Sequence, residues 1–194
     1  MSQPVTLQLA EADQQLLLQI ARNAVQAHLS GQRPPLPDAP PESLTQSLGV
    51  FVSLHQNGDL RGCIGSILAT NSLFQSTAEC AVAAAVGDPR FLPLRPSELP
   101  TVEFEISVLS PLDYVHDVKT IEVGKHGLLI TKKSARGLLL PQVATDHNWG
   151  RERFLEETCK KAGLRSDDWK EEATIQCFTA LVFSDQQFHF TATQ

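Results

Sequence analysis

The chain has few cysteines, and they follow neither a disulfide pattern nor a metal-binding pattern. The four, Cys63, Cys80, Cys159 and Cys177, show no Cys-x-x-Cys spacing and no nearby histidine at zinc-finger spacing. We therefore expect no metal and no cofactor. Because the N-terminus lacks a secretory signal, we expect reduced thiols in a cytoplasmic protein. Cys80, Cys159 and Cys177 fall on apolar stripes of predicted elements, where a free cysteine is a small hydrophobic residue.

Long apolar runs and excess basic charge are also missing. No apolar stretch among the 194 residues approaches the length of a bilayer span, so we expect no membrane-bound protein. The 22 acidic and 16 basic residues give a net charge of -6, which argues against a dedicated nucleic-acid-binding protein. A hydrophobic content of 42% is typical of a globular chain that buries a core of one large or two small domains.

The apolar periodicity predicts helices and strands that follow one another mostly as hairpins. Helices are predicted from about Ala10 to Ser30, Leu73 to Val86 and Arg151 to Ala162. Strands are predicted at Leu48 to His55, around Leu60 to Gly65, and at Thr101 to Leu109, Ile121 to Val123, Leu128 to Lys132, Gly137 to Leu140, Thr174 to Phe183 and Phe188 to Phe190. This order favours an α+β fold in which helices pack on one face of antiparallel sheets. We expect one domain over residues 1–194, with a smaller subdomain around 112–146.

The segment Leu60–Gly65, with the sequence Leu-Arg-Gly-Cys-Ile-Gly, is the most informative stretch of the chain. The Asn57-Gly58 pair before it is a strong hairpin signal, because both turn residues need a positive φ. In a regular two-residue hairpin Cys63 lies opposite Val52, so Cys63 and Arg61 share one face above apolar neighbours. A thiol beside a guanidinium predicts a reactive cysteine. A buried structural cysteine is the alternative.

The residues around this cysteine have two interpretations each. Gly62 and Gly65 are expected at a bulge or where a ligand or another backbone approaches, for example the small-residue helix Ala81–Ala85. Arg61 is expected either to bind a carboxylate or phosphate or to pair with an acid such as Glu103 or Glu105. Glu105, on the polar face of a strand, is a candidate general base, although a solvated face is the default.

Further candidate ligand-binding residues lie outside this segment. Arg90 lies in the turn after the second helix, and the Asp and Pro before it are common turn residues. Arg90 is therefore a binding candidate only if it faces a ligand. Lys125 and His126 lie between two glycines and could bind an anion, although the spacing of a phosphate-binding loop is missing. His147 is a candidate base for Cys63 if the fold brings the two together.

The motifs of the chain resemble those of a known family. The matching segments are Leu60–Gly65, Asp88–Phe91, Glu105–Ser110, Gly124–Leu128, Gly137–Ala144, Trp149, Phe154-Leu155 and Cys159–Leu164. In them the chain is similar to the AMMECR-domain family, whose bacterial and archaeal members are called AmmeMemoRadiSam system protein A. The similarity runs from the first helix to the last strand. It implies a two-part α+β unit with antiparallel sheets and a cleft between the parts.

The resemblance also carries expectations about function. It implies association with radical-SAM and Memo-like proteins, and it places Arg61, Cys63, Glu105, Lys125 and His126 at the cleft. Cys63, Arg61 and Glu105 are then the catalytic candidates. Two functions stay open. One is an enzyme or carrier that acts on a small molecule or a protein through the thiol, and the other is a binding or adaptor module in which the cysteine motif is structural.

Overall fold

The structure is a computed structural model, and it describes residues 7–67 and 70–188. Its helices are α1 (Glu11–Leu29), α2 (Glu42–Thr45), α3 (Leu73–Val86), α4 (Pro141–Asp146), α5 (Arg151–Lys161) and α6 (Asp185–Phe188). Its strands are β1 (Val50–Gln56), β2 (Asp59–Ser66), β3 (Glu103–Leu109), β4 (Asp113–Tyr114), β5 (His126–Lys132), β6 (Ala135–Leu139) and β7 (Thr174–Ser184). The strand pairs are antiparallel, and the predicted α+β fold is confirmed.

The chain divides into two compact units. Of the described residues, the larger unit contains 8–67, 70–109 and 181–188, and the smaller unit contains Leu7 and 110–180. Strand β7 gives its residues up to Ala180 to the smaller unit and the rest to the larger. The segment 112–146, where we expected a subdomain, lies within the smaller unit.

The larger unit is built on the sheet β2-β1-β3, with α3 and α1 on one face. Alternate residues of the strands point toward these helices and are fully buried, because a half-covered antiparallel sheet separates apolar from polar side chains. The buried set is Val50, Val52, Leu54, Phe104, Ile106 and Val108, each 0% exposed. The predicted bounds of α1 agree with the structure within one residue.

The hairpin of β1 and β2 contains a β-bulge that corrects the predicted register. Arg61 is an extra residue on β2, so that Cys63 pairs with Ser53 and not with Val52. A bulge adds one residue to one strand, and every residue beyond it therefore changes face relative to a regular ladder. The predicted apolar floor beneath Cys63 is wrong. Cys63 lies on the sheet face opposite α3, among polar neighbours.

Helix α3 has the predicted bounds and begins with a capping box. Ser72 and Gln75 form a capping box, and the Ser72 hydroxyl donates to Gln75 Oε1 at 2.7 Å. The small residues of α3 allow β2 to approach so closely that a Cβ added to Gly62 would lie 2.2 Å from the carbonyl oxygen of Ala84. The predicted packing of a motif glycine against this helix is confirmed.

The smaller unit is built on the sheet β4-β7-β5-β6, packed against α4 and α5. Its core consists of Ile121, Leu128, Ile130, Ala144, Phe154, Leu155, Cys159 and Ile175. The hairpin of β5 and β6 and the helix α5 are confirmed. Helix α4 was not predicted, because it has only six residues and begins directly at a proline.

Two predicted strands are wrong in the described residues. The stretch from Ile121 to Val123 leads into a turn, in which the backbone N–H of His126 donates to the carbonyl of Glu122 at 2.9 Å. A local bond of this kind takes the place of a sheet ladder. The predicted last strand begins at Phe188, which instead ends helix α6, and its remaining residues lie outside the described residues.

Candidate functional site

Cys63 lies in a row of polar residues that crosses the sheet of the larger unit. Ser53 on β1 pairs with Cys63 on β2 and with Glu105 on β3, so the three residues share one face. The Ser53 hydroxyl donates a hydrogen bond to Cys63 Sγ at 3.2 Å. The thiol is half-buried. The row therefore holds a sulfur atom with a hydroxyl donor at its side and a carboxylate one strand further on.

A cavity of about 120 Å³ lies at the carboxylate end of this row. Its lining includes His55, Glu103, Glu105 and Gln186. His55 Nε2 is 4.0 Å from Glu105 Oε1, and it has no hydrogen-bond partner among the described residues. Gln186 Nε2 donates to Glu103 at 2.6 Å. The imidazole of His55 and the carboxylate of Glu105 thus lie near each other at this cavity.

The Arg61 guanidinium is held by the loop that follows α3. Its Nε and Nη2 donate to the two carboxylate oxygens of Glu98 at 3.0 and 3.3 Å, and its Nη1 donates to the carbonyl of Leu92 at 2.9 Å. The Arg61 side chain is 16% exposed. Its fork-shaped bond holds the pKa of the Glu98 carboxyl below its usual range. The acid that pairs with Arg61 is Glu98 and not Glu105, so the guanidinium charge is balanced within the same loop.

Arg90 does not point away from the motif, because Asp88 holds it against Cys63. The Asp88 carboxylate accepts from Arg90 Nη2 at 2.6 Å and Nε at 2.9 Å, and also from the backbone N–H of Cys63 at 2.9 Å. Arg90 Nη2 donates in turn to the carbonyl of Cys63 at 3.4 Å. The guanidinium bond holds the pKa of the buried Asp88 carboxyl far below its usual range, and the same bond raises the pKa of Arg90.

At both motif glycines, other atoms of the protein occupy the position that a Cβ would take. The position of a Cβ on Gly62 is taken by the carbonyl of Ala84, and that on Gly65 is taken by the ring of Phe51, 2.2 Å away. Both glycines therefore have a packing role in the structure, with a helix backbone on one face and an aromatic ring on the other.

Lys125, His126 and His147 belong to the smaller unit, whereas Cys63 and the other catalytic candidates belong to the larger. Lys125 is on the surface and pairs with Glu122 at 2.9 Å. His126 is 5% exposed, and its Nδ1 accepts a hydrogen bond from the backbone N–H of Glu122 at 3.1 Å. Burial lowers the pKa of His126, so its ring is neutral at pH 7. His147 stacks on Trp149, with ring centroids 4.7 Å apart.

The comparisons with known proteins agree with this architecture. The family model AMMECR1 matches residues 18–183 of the chain. The chain belongs to the AMMECR1 family. A relative from Methanothermobacter thermautotrophicus is 43% identical over 180 residues, which cover 87% of this chain and 92% of the relative. A protein of Pyrococcus furiosus is 40% identical over 185 residues, which cover 89% of this chain and 88% of that protein.

A solved structure also resembles this AMMECR1 chain in fold. The crystal structure of an uncharacterized protein from Pyrococcus horikoshii superposes with a TM-score of 0.85 at 36% sequence identity. The match covers 91% of this chain and 93% of the other. The α+β architecture is therefore that of an experimentally observed fold.

The remaining cysteines of this AMMECR1 chain differ from Cys63 in their surroundings. Cys80 and Cys159 are 7% and 0% exposed, and Cys177 is half-buried against the core of the smaller unit. Burial raises the pKa of all three thiols, that of Cys80 to about 11. Their expected role as small core residues agrees with this placement.

Among residues 7–67 and 70–188, no three His, Cys, Asp or Glu side chains come together as a metal site. No helix in that same part of the chain has both the length and the apolar character needed to cross a bilayer.

Sequence reasoning missed the residues that surround Cys63 most closely. Ser53 was missed because the bulge was not placed, and the regular register puts Val52 in its position. The partnership of Arg61 with Glu98 joins residues far apart in the chain, which periodicity does not reveal. Asp88 lies between a glycine and a proline, a setting typical of a turn, and this setting gave no sign of its contact with Cys63.

Proposed function

We propose that this AMMECR1-family protein is an enzyme or carrier that acts on a small molecule or a protein through the thiol of Cys63. The observation that carries the proposal is the hydrogen bond from Ser53 Oγ to Cys63 Sγ, 3.2 Å long. A hydroxyl that donates to sulfur stabilises the negative charge that a nucleophilic thiol carries when it attacks. Cys63 is half-buried, and the proposal requires a substrate to reach its sulfur.

The neighbours of this thiol support proton transfer on the same sheet face. Glu105 continues the row beyond Ser53, and His55 lies 4.0 Å from it. In the proposal these two groups accept and return protons during the reaction of the thiol. Arg61 holds the loop after α3 in place, because its guanidinium already binds the carboxylate of Glu98. An acidic group on a substrate would have to displace that carboxylate.

Competitive alkylation tests the proposal. The native protein is treated with iodoacetamide in an amount below the total thiol, and each cysteine is quantified by mass spectrometry. We expect Cys63 to be labelled faster than Cys177, which is also half-buried and therefore serves as the internal control. Replacement Ser53→Ala should slow the labelling of Cys63 alone. Equal labelling of Cys63 and Cys177 in the native protein would refute the reactive-thiol proposal.

A binding or adaptor module is the second candidate, and a separate observation favours it. The glycines of the motif pack against Ala84 and Phe51, which is the behaviour of a structural hairpin. In an adaptor, Cys63→Ala should lower the free energy of unfolding by about 1 kcal/mol, as for a small packing defect, and leave partner binding intact. A variant of native stability that has lost its cellular function would contradict the adaptor.

We propose further that the chain works in the cytoplasm beside a radical-SAM protein and a Memo-like protein. The family resemblance supports the partners, and the four free cysteines support a reducing compartment. Size-exclusion chromatography of this protein with each purified partner tests the association. Elution of every protein at its own volume, at concentrations well above micromolar, would count against it.

A further inference from the structure

Asp88 and Arg90 together bind the outer edge of strand β2 at Cys63. β2 is the last strand in the strand order, and within the described residues it pairs only with β1. The backbone groups of Cys63 point to the open side, where the N–H donates to Asp88 Oδ2 at 2.9 Å and the carbonyl accepts from Arg90 Nη2 at 3.4 Å. A neighbouring strand would offer the same acceptor and the same donor.

This Asp88–Arg90 clamp is itself tightly held. Asp88 is 4% exposed and accepts three further bonds from Arg90, from its backbone N–H at 3.1 Å, from Nε at 2.9 Å and from Nη2 at 2.6 Å. Asp88 follows Gly87, the C-cap of α3, so the helix end fixes the clamp in space. The planar guanidinium then fixes the direction of the bond to the Cys63 carbonyl, which a flexible ammonium would not do.

We propose that the Asp88–Arg90 clamp positions the sulfur of Cys63 against the hydroxyl of Ser53, an inference that rests on the proposed function. Because the N–H and the carbonyl of Cys63 are both held, its backbone dihedrals are fixed, and the direction of its Cα–Cβ bond is fixed with them. Only χ1 is left to place Sγ, and side chains occupy few staggered χ1 states. Asp88 and Arg90 act through the backbone and are positioning residues.

A double-mutant cycle on alkylation rate tests the clamp. The rate of Cys63 with iodoacetamide is measured in the native protein, in Ser53→Ala, in Asp88→Ala and in the double variant. In the native background, loss of the hydroxyl should slow Cys63 about five-fold, the equivalent of a hydrogen bond of about 1 kcal/mol. In the Asp88→Ala background the same change should have no effect, because the sulfur no longer meets the hydroxyl.

Two further variants keep the test interpretable. Asp88→Asn retains an oxygen that accepts from the Cys63 N–H and is the variant to use if Asp88→Ala does not fold; it should retain part of the dependence on Ser53. Asp168→Asn is the control, because it removes the charge of another buried carboxylate, which pairs with Lys132 in the smaller unit. In this variant Ser53→Ala should slow Cys63 as much as in the native protein.

Hydrogen exchange gives a second readout of the clamp. The Cys63 amide should exchange at least about ten-fold faster in Asp88→Asn or Asp88→Ala, because the hydrogen bond from its N–H to Asp88 is weakened or lost. The exchange rate of the Ile64 amide should not change. Ile64 is the matched control because neighbouring residues of a strand direct their amides to opposite sides.

Two outcomes would overturn the positioning role. One is that Ser53→Ala changes the alkylation rate of Cys63 by the same factor in the native and Asp88-substituted backgrounds, or in neither background. The other is an unchanged exchange rate of the Cys63 amide. The proposed function is judged separately, by the rate of Cys63 against that of Cys177 in the native protein, so a failed clamp and an unreactive thiol are distinguishable.

Discussion

The replacement Gly62→Ala should strongly destabilise the protein, because the new Cβ has no room. It would lie 2.2 Å from the carbonyl oxygen of Ala84, and a Cβ essentially never approaches another heavy atom closer than 3.0 Å, so the atoms must separate by at least about 0.8 Å. The obstacle is the backbone of α3, which cannot rotate away as a side chain can. Overpacking of a rigid site costs about 1–3 kcal/mol, and we expect about 3 kcal/mol here.

The assay is calorimetric and chemical unfolding of matched variants. For a chain of this size, about 3 kcal/mol lowers Tm by roughly 6–12 °C. Gly65→Ala is the first comparison: its Cβ would lie 2.2 Å from the Phe51 ring and 2.5 Å from the backbone carbonyl oxygen of Val50, so it should also destabilise the protein. Gly150→Ala has open space around its Cβ and should change stability by less than about 1 kcal/mol. Native-like stability of Gly62→Ala would refute the close approach of β2 to α3.

Three further predictions concern polar contacts of the larger unit. Arg90 holds the pKa of Asp88 far below its usual range, so the stabilisation from the Asp88 carboxylate is complete above about pH 4 and is lost as the pH falls below that value. Asp88→Asn has no carboxylate to protonate. Its Tm, measured from pH 5 to 2.5, should therefore decline less steeply than that of the native protein. Asp185→Ala removes a buried acceptor of the Phe104 N–H, at 2.9 Å, and the partner of Arg22, and urea unfolding should show a loss of about 2–3 kcal/mol; a loss below about 1 kcal/mol would be inconsistent with this contact. Ser72→Ala removes the capping box of α3 and should cost about 1 kcal/mol in the same assay, and no loss would contradict a role of the cap in stability.

Local signals were enough to predict most helices and strands. The bounds of α3 followed from Ser72, which caps it, and Gly87, which ends it, and both act within a few residues of the chain. The hairpin turn at Asn57-Gly58 is confirmed by the positive φ of both residues, 54° and 86°. Signals of this kind depend on backbone sterics and on hydrogen bonds between near neighbours, so they can be read without knowledge of the rest of the fold.

The candidate site was harder to predict, because its contacts depend on register and on distant loops. The glycine of the motif indicated a bulge, but the position of the extra residue, Arg61, decides which side of the sheet Cys63 occupies. The partnership of Arg61 with Glu98 spans 37 residues and depends on how the loop after α3 returns to β2. The sequence predicted the candidate residues, and the structure supplied their hydrogen-bond partners.

The bulge at Arg61 also has a consequence for any attempt to move the cysteine motif into another protein. A designer who grafts Leu60–Gly65 onto an ideal hairpin, with strictly alternating partners, would turn the sulfur inward to the hydrophobic layer. The transplanted thiol would then lack the hydroxyl donor that Ser53 provides, even with all six residues copied. A graft that keeps the hydrogen bond to sulfur needs the bulge at Arg61 and a serine opposite the cysteine. The smallest unit that can be transferred is therefore the whole bulged hairpin.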